Sequence, residues 1–327
     1  MHHSIGRRAF LAGLSGLAIA SGVRHLRSSA QDATPFPPFA SPAALPAIDA
    51  RADGALQVVT STTILADLAR QIGGERVKVK SLLPANADPH DYEPSPDDVI
   101  AIEDADLVIL HGLQLDTWVD PLVDAAQTSA PVIVATEGIE TIGSDEDGFS
   151  EGDPHVWFDP MRVKTMVANI QSGLASVDGD GADLYQQRLD AYDGALDTLD
   201  RAIQERIDLI PKERRVLVTN HDALEYYADR YGLTIVGTVI PGLDSRTEPS
   251  AKEISELIDD IQAAGVNVIF TENTVSPALA DSLASDAGIR VAPELFTDSL
   301  GDSDSGADTY IGLMETDTEI IVENLRA

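Results

Sequence analysis

Eight short aliphatic runs, alternating with stretches of helical spacing, constrain the fold of this chain more than any other feature. In the first half the runs are LQVVTS, RVKVKSLLP, ADLVILHG and PVIVATEG. Between them lie TILADLARQIGG, SPDDVIAIEDA and DTWVDPLVDAAQ. Apolar runs this continuous are strands buried on both faces, and single helices between them make βαβ units of a parallel sheet. Ser95, Pro96 and Asp98 read as N-cap, first-turn proline and capping-box acid. The second half repeats the scheme with RRVLVTN, TIVGTV, VNVIFTE and IRVAPEL, interleaved with DALEYYADRYG, SAKEISELIDDIQAAG and SPALADSLASDAG; Ser276 and Pro277 read as another cap and first-turn pair.

Between the halves, Leu184, Leu189, Tyr192, Leu196, Leu199, Ile203, Ile207 and Ile210 recur at spacings of three to five. That stripe predicts one helix of about 28 residues, roughly 42 Å long at 1.5 Å per residue. It is long enough to run down the side of both halves, as a stiff connector that limits hinge bending. The expected fold class is therefore α/β, with two small parallel-sheet lobes joined by a single long backbone helix. The expected division is an export signal at 1–30, a disordered linker at 31–54, an N-terminal lobe at 55–180, the linking helix at 181–211 and a C-terminal lobe at 212–327.

The N-terminus carries Arg7 and Arg8 ahead of an apolar, small-residue stretch from Ala9 to Val23. This is too short to span a bilayer and reads as an export signal. The paired arginines with Ala9, Phe10 and Leu11 resemble a twin-arginine signal, which implies export after folding. Cleavage is expected near Ser28–Ala30, with an uncleaved signal anchor as the alternative. The proline-rich QDATPFPPFASPAALP that follows reads as a spacer. With no cysteine in the chain, a lipoprotein anchor, disulfides and thiolate metal sites are all excluded from this reading. Any metal must be held by imidazole and carboxylate. The 55 acidic residues against 22 basic ones, a formal charge of −33, exclude a nucleic-acid surface and concentrate cations around the protein.

Of seven histidines, His2, His3 and His25 lie in or beside the signal. His90, His111, His155 and His221 each fall beyond a predicted strand, the edge where open parallel sheets bind ligands. A single histidine there is more often a satisfied polar side chain than a ligand; several on one edge point to a site. A divalent ion held only by neutral imidazoles keeps its full charge, so a carboxylate is expected as well. Asp298, in ELFTDSLG past the last strand, is the best placed. Three imidazoles and one carboxylate suit zinc, and also manganese or iron, between the lobes.

The segments PHDYEPSP, DPHVWFDP, NHDALEYYADRYG and LFTDSLG resemble, in order and spacing, the four ligand segments of zinc- and manganese-binding solute-binding proteins of ABC importers. The resemblance runs from about Leu56 to the C-terminus. It implies a metal buried between two α/β lobes and held by His90, His155, His221 and Asp298. It also implies a membrane permease and its ATPase as partners. The protein itself is expected to be a monomer. Manganese-selective members often have glutamate where this chain has His221, which favours zinc over manganese. The histidine-rich loop common in zinc importers is here the acidic SDEDGFSEGD, and His111 replaces the family's usual asparagine. His111 is therefore expected to support the site, with Asp91 or Glu272 orienting imidazole N–H groups and Glu93 accepting a hydrogen bond in its loop.

Two rival classes stand beside a binding protein. A metal-dependent hydrolase needs an open coordination position and a general base. The chain has no H-E-x-x-H helix or G-x-S-x-G elbow. An adhesin role rests on family precedent alone.

Overall fold

β1 (Leu56–Thr60) lies inside a parallel four-stranded sheet ordered β2-β1-β3-β4. Its neighbours are β2 (Val77–Ser81) and β3 (Leu107–Leu110), with Val58 opposite Val79 and Val59 opposite Val108. β4 (Val132–Val134) pairs with β3 at the far edge. The central β3 is buried along its whole length, as its run LVIL requires, while Lys78 and Lys80 project from the β2 edge. The structure, a computed structural model, describes residues 38–40, 43–143 and 149–326. The expected signal, its twin arginines and residues 144–148 of the acidic loop lie outside the described residues. Contacts divide the chain after Pro38, and everything below concerns Phe39 onward.

Three helices make the crossovers of the first lobe: α1 (Thr63–Gly73), α2 (Pro96–Glu103) and α3 (Asp120–Ala126). The predicted capping box at α2 forms, with the Asp98 carboxylate accepting from the Ser95 N–H at 2.8 Å and its hydroxyl at 2.9 Å.

The second lobe repeats the strand order. β5 (Val216–Thr219) pairs with β6 (Thr234–Thr238), and β7 (Val268–Ile269) pairs with β8 (Arg290–Val291). The two pairs join where the Phe270 N–H donates to the Val218 carbonyl at 2.9 Å, giving β6-β5-β7-β8. Its helices are α6 (Glu225–Tyr231), α7 (Ala251–Ala264) and α8 (Ala278–Ala287). α8 starts one residue later than expected. Pro277 takes the cap position, and the Ser276 hydroxyl accepts from the Ala278 N–H at 3.4 Å.

α5 (Ala182–Ile207) is the long helix, 26 residues. It packs on α1 of the first lobe and on α6 of the second. Leu189, Tyr192, Leu196, Leu199, Ile203 and Ile207 of the predicted stripe are buried. Two helices that the sequence reading leaves out flank it: α4 (Pro160–Val177) and the C-terminal α9 (Tyr310–Arg326).

One expectation is corrected. The disordered linker at 31–54 does not extend to residue 54, because the stretch beyond Phe39 lies against the body. Ile48 is buried, the Arg188 guanidinium donates to the Pro46 carbonyl, Arg76 donates to the Asp49 carbonyl at 3.3 Å, and the Phe39 ring lies 4.8 Å from the Arg206 guanidinium carbon. The segment's described residues have no regular secondary structure. Arginines on the body satisfy its carbonyls instead, a pairing that composition does not reveal.

Candidate metal centre

The carboxyl ends of both sheets face each other across the lobe interface. His90 lies in the loop after β2, His221 follows β5 directly, and Asp298 lies beyond β8. His155 comes from the loop after β4 and caps a short 3₁₀ turn, Val156–Phe158. The four residues predicted as ligands converge, each offering an atom within 4.8 Å of the others, and all four are buried.

His155 Nε2 lies 3.3 Å from Asp298 Oδ1, His221 Nε2 lies 3.4 Å from Asp298 Oδ2, and the two imidazole Nε2 atoms are 3.4 Å apart. A tetrahedral ion with bonds of about 2.0–2.1 Å spaces its ligand atoms roughly 3.3–3.4 Å apart. These three donors are therefore already at coordination spacing. His90 turns its Nε2 into the same buried space with no hydrogen-bond partner, and its ring centroid lies 5.5 Å from that of His155 and 5.8 Å from that of His221.

Two carboxylates set the orientation of the imidazoles. Asp153 Oδ1 accepts from the His155 backbone N–H at 2.8 Å and from ring Nδ1 at 2.7 Å. Glu272 accepts from the His221 backbone N–H at 2.8 Å with Oε1 and from ring Nδ1 with Oε2. With Nδ1–H committed in this way, each Nε2 faces Asp298 and the shared space.

Burial favours neutral rings, and for His90 it wins, pulling the pKa down to about 3. Burial also opposes charge at His155, yet Asp153 and Asp298 outweigh it and raise the pKa to about 10. At His221, Glu272 and Asp298 likewise outweigh burial and raise it to about 9. Burial works against an ionised Asp298, but His221 and His155 hold it below the usual carboxylate range. A cation of higher charge can replace the protons on the two clamped histidines.

His111 supports the site without joining it. Its Nε2 lies 2.8 Å from the Pro154 carbonyl, just before His155, and its ring stands edge-on to Trp157 at 5.2 Å. Glu272 takes the orienting role expected of it, but Asp91 does not. Asp91 and Glu93 are both exposed, at the rim of a pocket beside His90. No hydrogen bond to Glu93 is seen among the described residues. The residue that sequence reasoning missed is Asp153. Its place in GDPHVW, two residues before the histidine, is the same spacing as Asp88 before His90. Each aspartate caps the backbone N–H of its histidine at 2.8 Å. The repeated D-P-H tripeptide was the available signal.

The lobes are joined around this centre by hydrogen bonds. Trp157 Nε1 donates to the Thr297 carbonyl at 2.9 Å, the Tyr226 hydroxyl to the Asp153 carbonyl at 2.7 Å, and the Leu300 N–H to the Thr63 hydroxyl at 2.9 Å.

The profile of the family described as "Zinc-uptake complex component A periplasmic" (ZnuA) matches residues 58–324. The manganese-binding lipoprotein MntA of Halalkalibacterium halodurans is 34% identical over 271 residues, which is 83% of this chain and 88% of that protein. The metal ABC transporter substrate-binding lipoprotein FimA of Streptococcus parasanguinis is 29% identical over 283 residues, 84% of this chain and 90% of its own. Among solved structures, the periplasmic zinc-binding protein TroA of Treponema pallidum superposes with a TM-score of 0.78 at 30% identity. It covers 84% of this chain and 100% of TroA. A manganese-bound periplasmic metal-binding protein of Candidatus Liberibacter asiaticus has a TM-score of 0.73 at 28% identity, with 82% of this chain and 98% of that one covered.

Proposed function

This chain belongs to the ZnuA family of periplasmic zinc-uptake components, and on that premise we propose that it captures a divalent transition-metal ion with His90, His155, His221 and Asp298 and hands it to an ABC importer. The observation that carries this reading is the buried cluster of those four side chains, one ligand atom of each within 4.8 Å of the others, with two of the imidazoles held at Nδ1 by carboxylates. Its partners are a membrane permease and the ATPase that drives it, and the protein acts as a monomer.

Zinc is our first choice of cargo and manganese our second. Three imidazoles with one carboxylate favour zinc. Asp298, with one oxygen toward His155 and the other toward His221, can also give the higher coordination that manganese accepts. The relatives speak for both ions, since TroA is named for zinc and MntA for manganese. Zinc out-competes manganese at almost any such site in vitro, so the test is the metal content of protein isolated from its own exported compartment under controlled supply.

Four protein ligands leave no open position for a reacting water, which favours a carrier over the rival metal-dependent hydrolase. Sustained chelator-sensitive turnover, abolished by His221→Ala, would overturn that choice. For the site itself, equilibrium dialysis of His155→Ala must show weakened metal binding, and unchanged affinity would remove His155 from the ligand set.

We read residues 1–30 as the export signal, and 55–180 and 212–327 as the lobes on either side of the linking helix. Among the described residues no helix is long and apolar enough to cross a membrane. MntA and FimA are named lipoproteins. We propose that this chain, like them, is exported.

A further inference from the structure

His90 is held differently from the other ligands. The His155 and His221 rings are clamped by carboxylates, whereas the His90 ring has no carboxylate partner among the described residues. Its position is set through its backbone. The His90 N–H donates to Asp88 Oδ1 at 2.8 Å, and the other oxygen, Oδ2, accepts from the hydroxyl of Ser245 in the opposite lobe. One carboxylate thus ties the His90 loop to the far side of the interface. The first lobe fixes the same loop from behind, through Trp118 Nε1 donating to the Pro89 carbonyl at 3.0 Å. Pro89 in turn keeps Asp88 extended.

His90 is also the ligand nearest the outside. It is 9% exposed, against 0% for His155 and His221 and 1% for Asp298. It lines a pocket of about 380 Å³ between its own loop and the second-lobe loop that carries Ser245, with Phe149, Asp244 and Arg246 on the wall. Arg246 is turned onto Asp244 at 2.7 and 3.0 Å, so its charge is paired within the wall.

We propose that Asp88 and Ser245 are positioning residues that latch His90 onto the metal, and that the ion leaves through the pocket beside His90 once this latch opens. Breaking the Ser245 contact frees the His90 loop from the second lobe. The ion then remains on His155, His221 and Asp298, with its outward side uncovered. This rests on the four-ligand reading above, and its test is separable from the test of that reading.

The experiment measures Zn²⁺ release from the metal-loaded full chain into an excess of chelating dye by stopped flow. Ser245→Ala should release Zn²⁺ roughly tenfold faster, the size expected for one charge-assisted hydrogen bond. Ser245→Thr, which keeps the hydroxyl, should restore slow release. Adding Ser245→Ala to Asp88→Ala should bring no further change, because both act through one contact. Asp302→Ala removes another hydrogen bond between the lobes, the one from Asn86 Nδ2 at 3.3 Å, at an exposed position outside the metal centre, and should leave release at the wild-type rate. The latch is overturned if Ser245→Ala releases at the wild-type rate, if Asp302→Ala accelerates release equally, or if the Asp88 and Ser245 effects simply add. Failure of the four-ligand reading looks different: His155→Ala would then bind Zn²⁺ as tightly as wild type.

Discussion

Glu272 holds His221 at two points, taking its backbone N–H on Oε1 and its ring Nδ1 on Oε2. A third donor, the Thr297 hydroxyl, reaches Oε2 at 3.1 Å from beside Asp298. The carboxylate therefore positions one ligand and braces the segment carrying another. Carboxylates in this position usually contribute about 10–100-fold to metal affinity. Glu272→Gln keeps an acceptor but loses the charge, and should weaken Zn²⁺ binding about tenfold in a chelator-competition titration. Glu272→Ala should approach the hundredfold end.

The contrast between Glu272 and Asp153 shows what sequence can and cannot reveal. His90, His155, His221 and Asp298 were legible because strand ends are legible, and the scarcity of histidine made each one conspicuous. The long α5 was legible from its unbroken apolar stripe. Orienting carboxylates were harder to find, because 55 acids in one chain give no contrast and only three-dimensional direction separates Asp153 from exposed Asp91. The packed segment after Phe39 was illegible for a related reason, since its partners include arginines far along the chain, Arg188 and Arg206.

That segment supports a stability prediction. Ile48 fits over Gly74, where a Cβ would come within 2.3 Å of its Cγ2, at a backbone φ of +53°. Ile48→Ala should cost about 2 kcal/mol in denaturant unfolding of the metal-free protein, at the low end for a buried isoleucine. A free linker would give no change. Gly74→Ala should destabilise as well, through both the collision and the left-handed backbone.

Metal binding should release protons. In the metal-free protein the His155 pKa is raised from 6.5 to about 10 and that of His221 to about 9, so both rings carry their second proton at neutral pH. His90, lowered to about 3, carries none. Capture near pH 7 should therefore expel about two protons per ion, read by calorimetry in buffers of different ionisation enthalpy. Affinity should climb with pH and level off near pH 9–10. The sign for folding is the opposite. The stability contributed by these raised histidines in the metal-free protein is complete below the ordinary value of 6.5 and is lost as pH rises through 9 and then 10.

Asp317 is a buried acid pushed toward its neutral form. Its Oδ1 accepts from the Phe296 N–H at 2.9 Å, Oδ2 has no partner, and burial pushes its pKa well above the carboxylate range. A raised carboxyl is a liability once pH exceeds its unfolded value near 4, because ionisation is then available only to the unfolded chain. Asp317→Asn keeps the acceptor for Phe296 and removes the titration. Thermal melts should show a Tm a few degrees above wild type at pH 8, with the difference shrinking toward pH 4. Asp317→Ala should instead fall below wild type, because it strands the part-buried Phe296 N–H two residues before Asp298.

The choice between zinc and manganese can be moved at His221. A carboxylate there is a harder donor and favours manganese relative to zinc. The single change His221→Glu, however, sets a second carboxylate against Glu272, which is itself only 1% exposed and already bonded to this position. Two buried like charges in contact cannot both stay ionised, so the single variant should lose affinity for both metals. Pairing it with Glu272→Gln removes the repulsion and supplies an amide donor for the new carboxylate. The double variant should recover Mn²⁺ binding while Zn²⁺ stays weakened, narrowing the ratio of zinc to manganese affinity by about tenfold or more. Competition titrations of both ions against both variants check this, and equal recovery of the two metals would show that selectivity does not reside at this position.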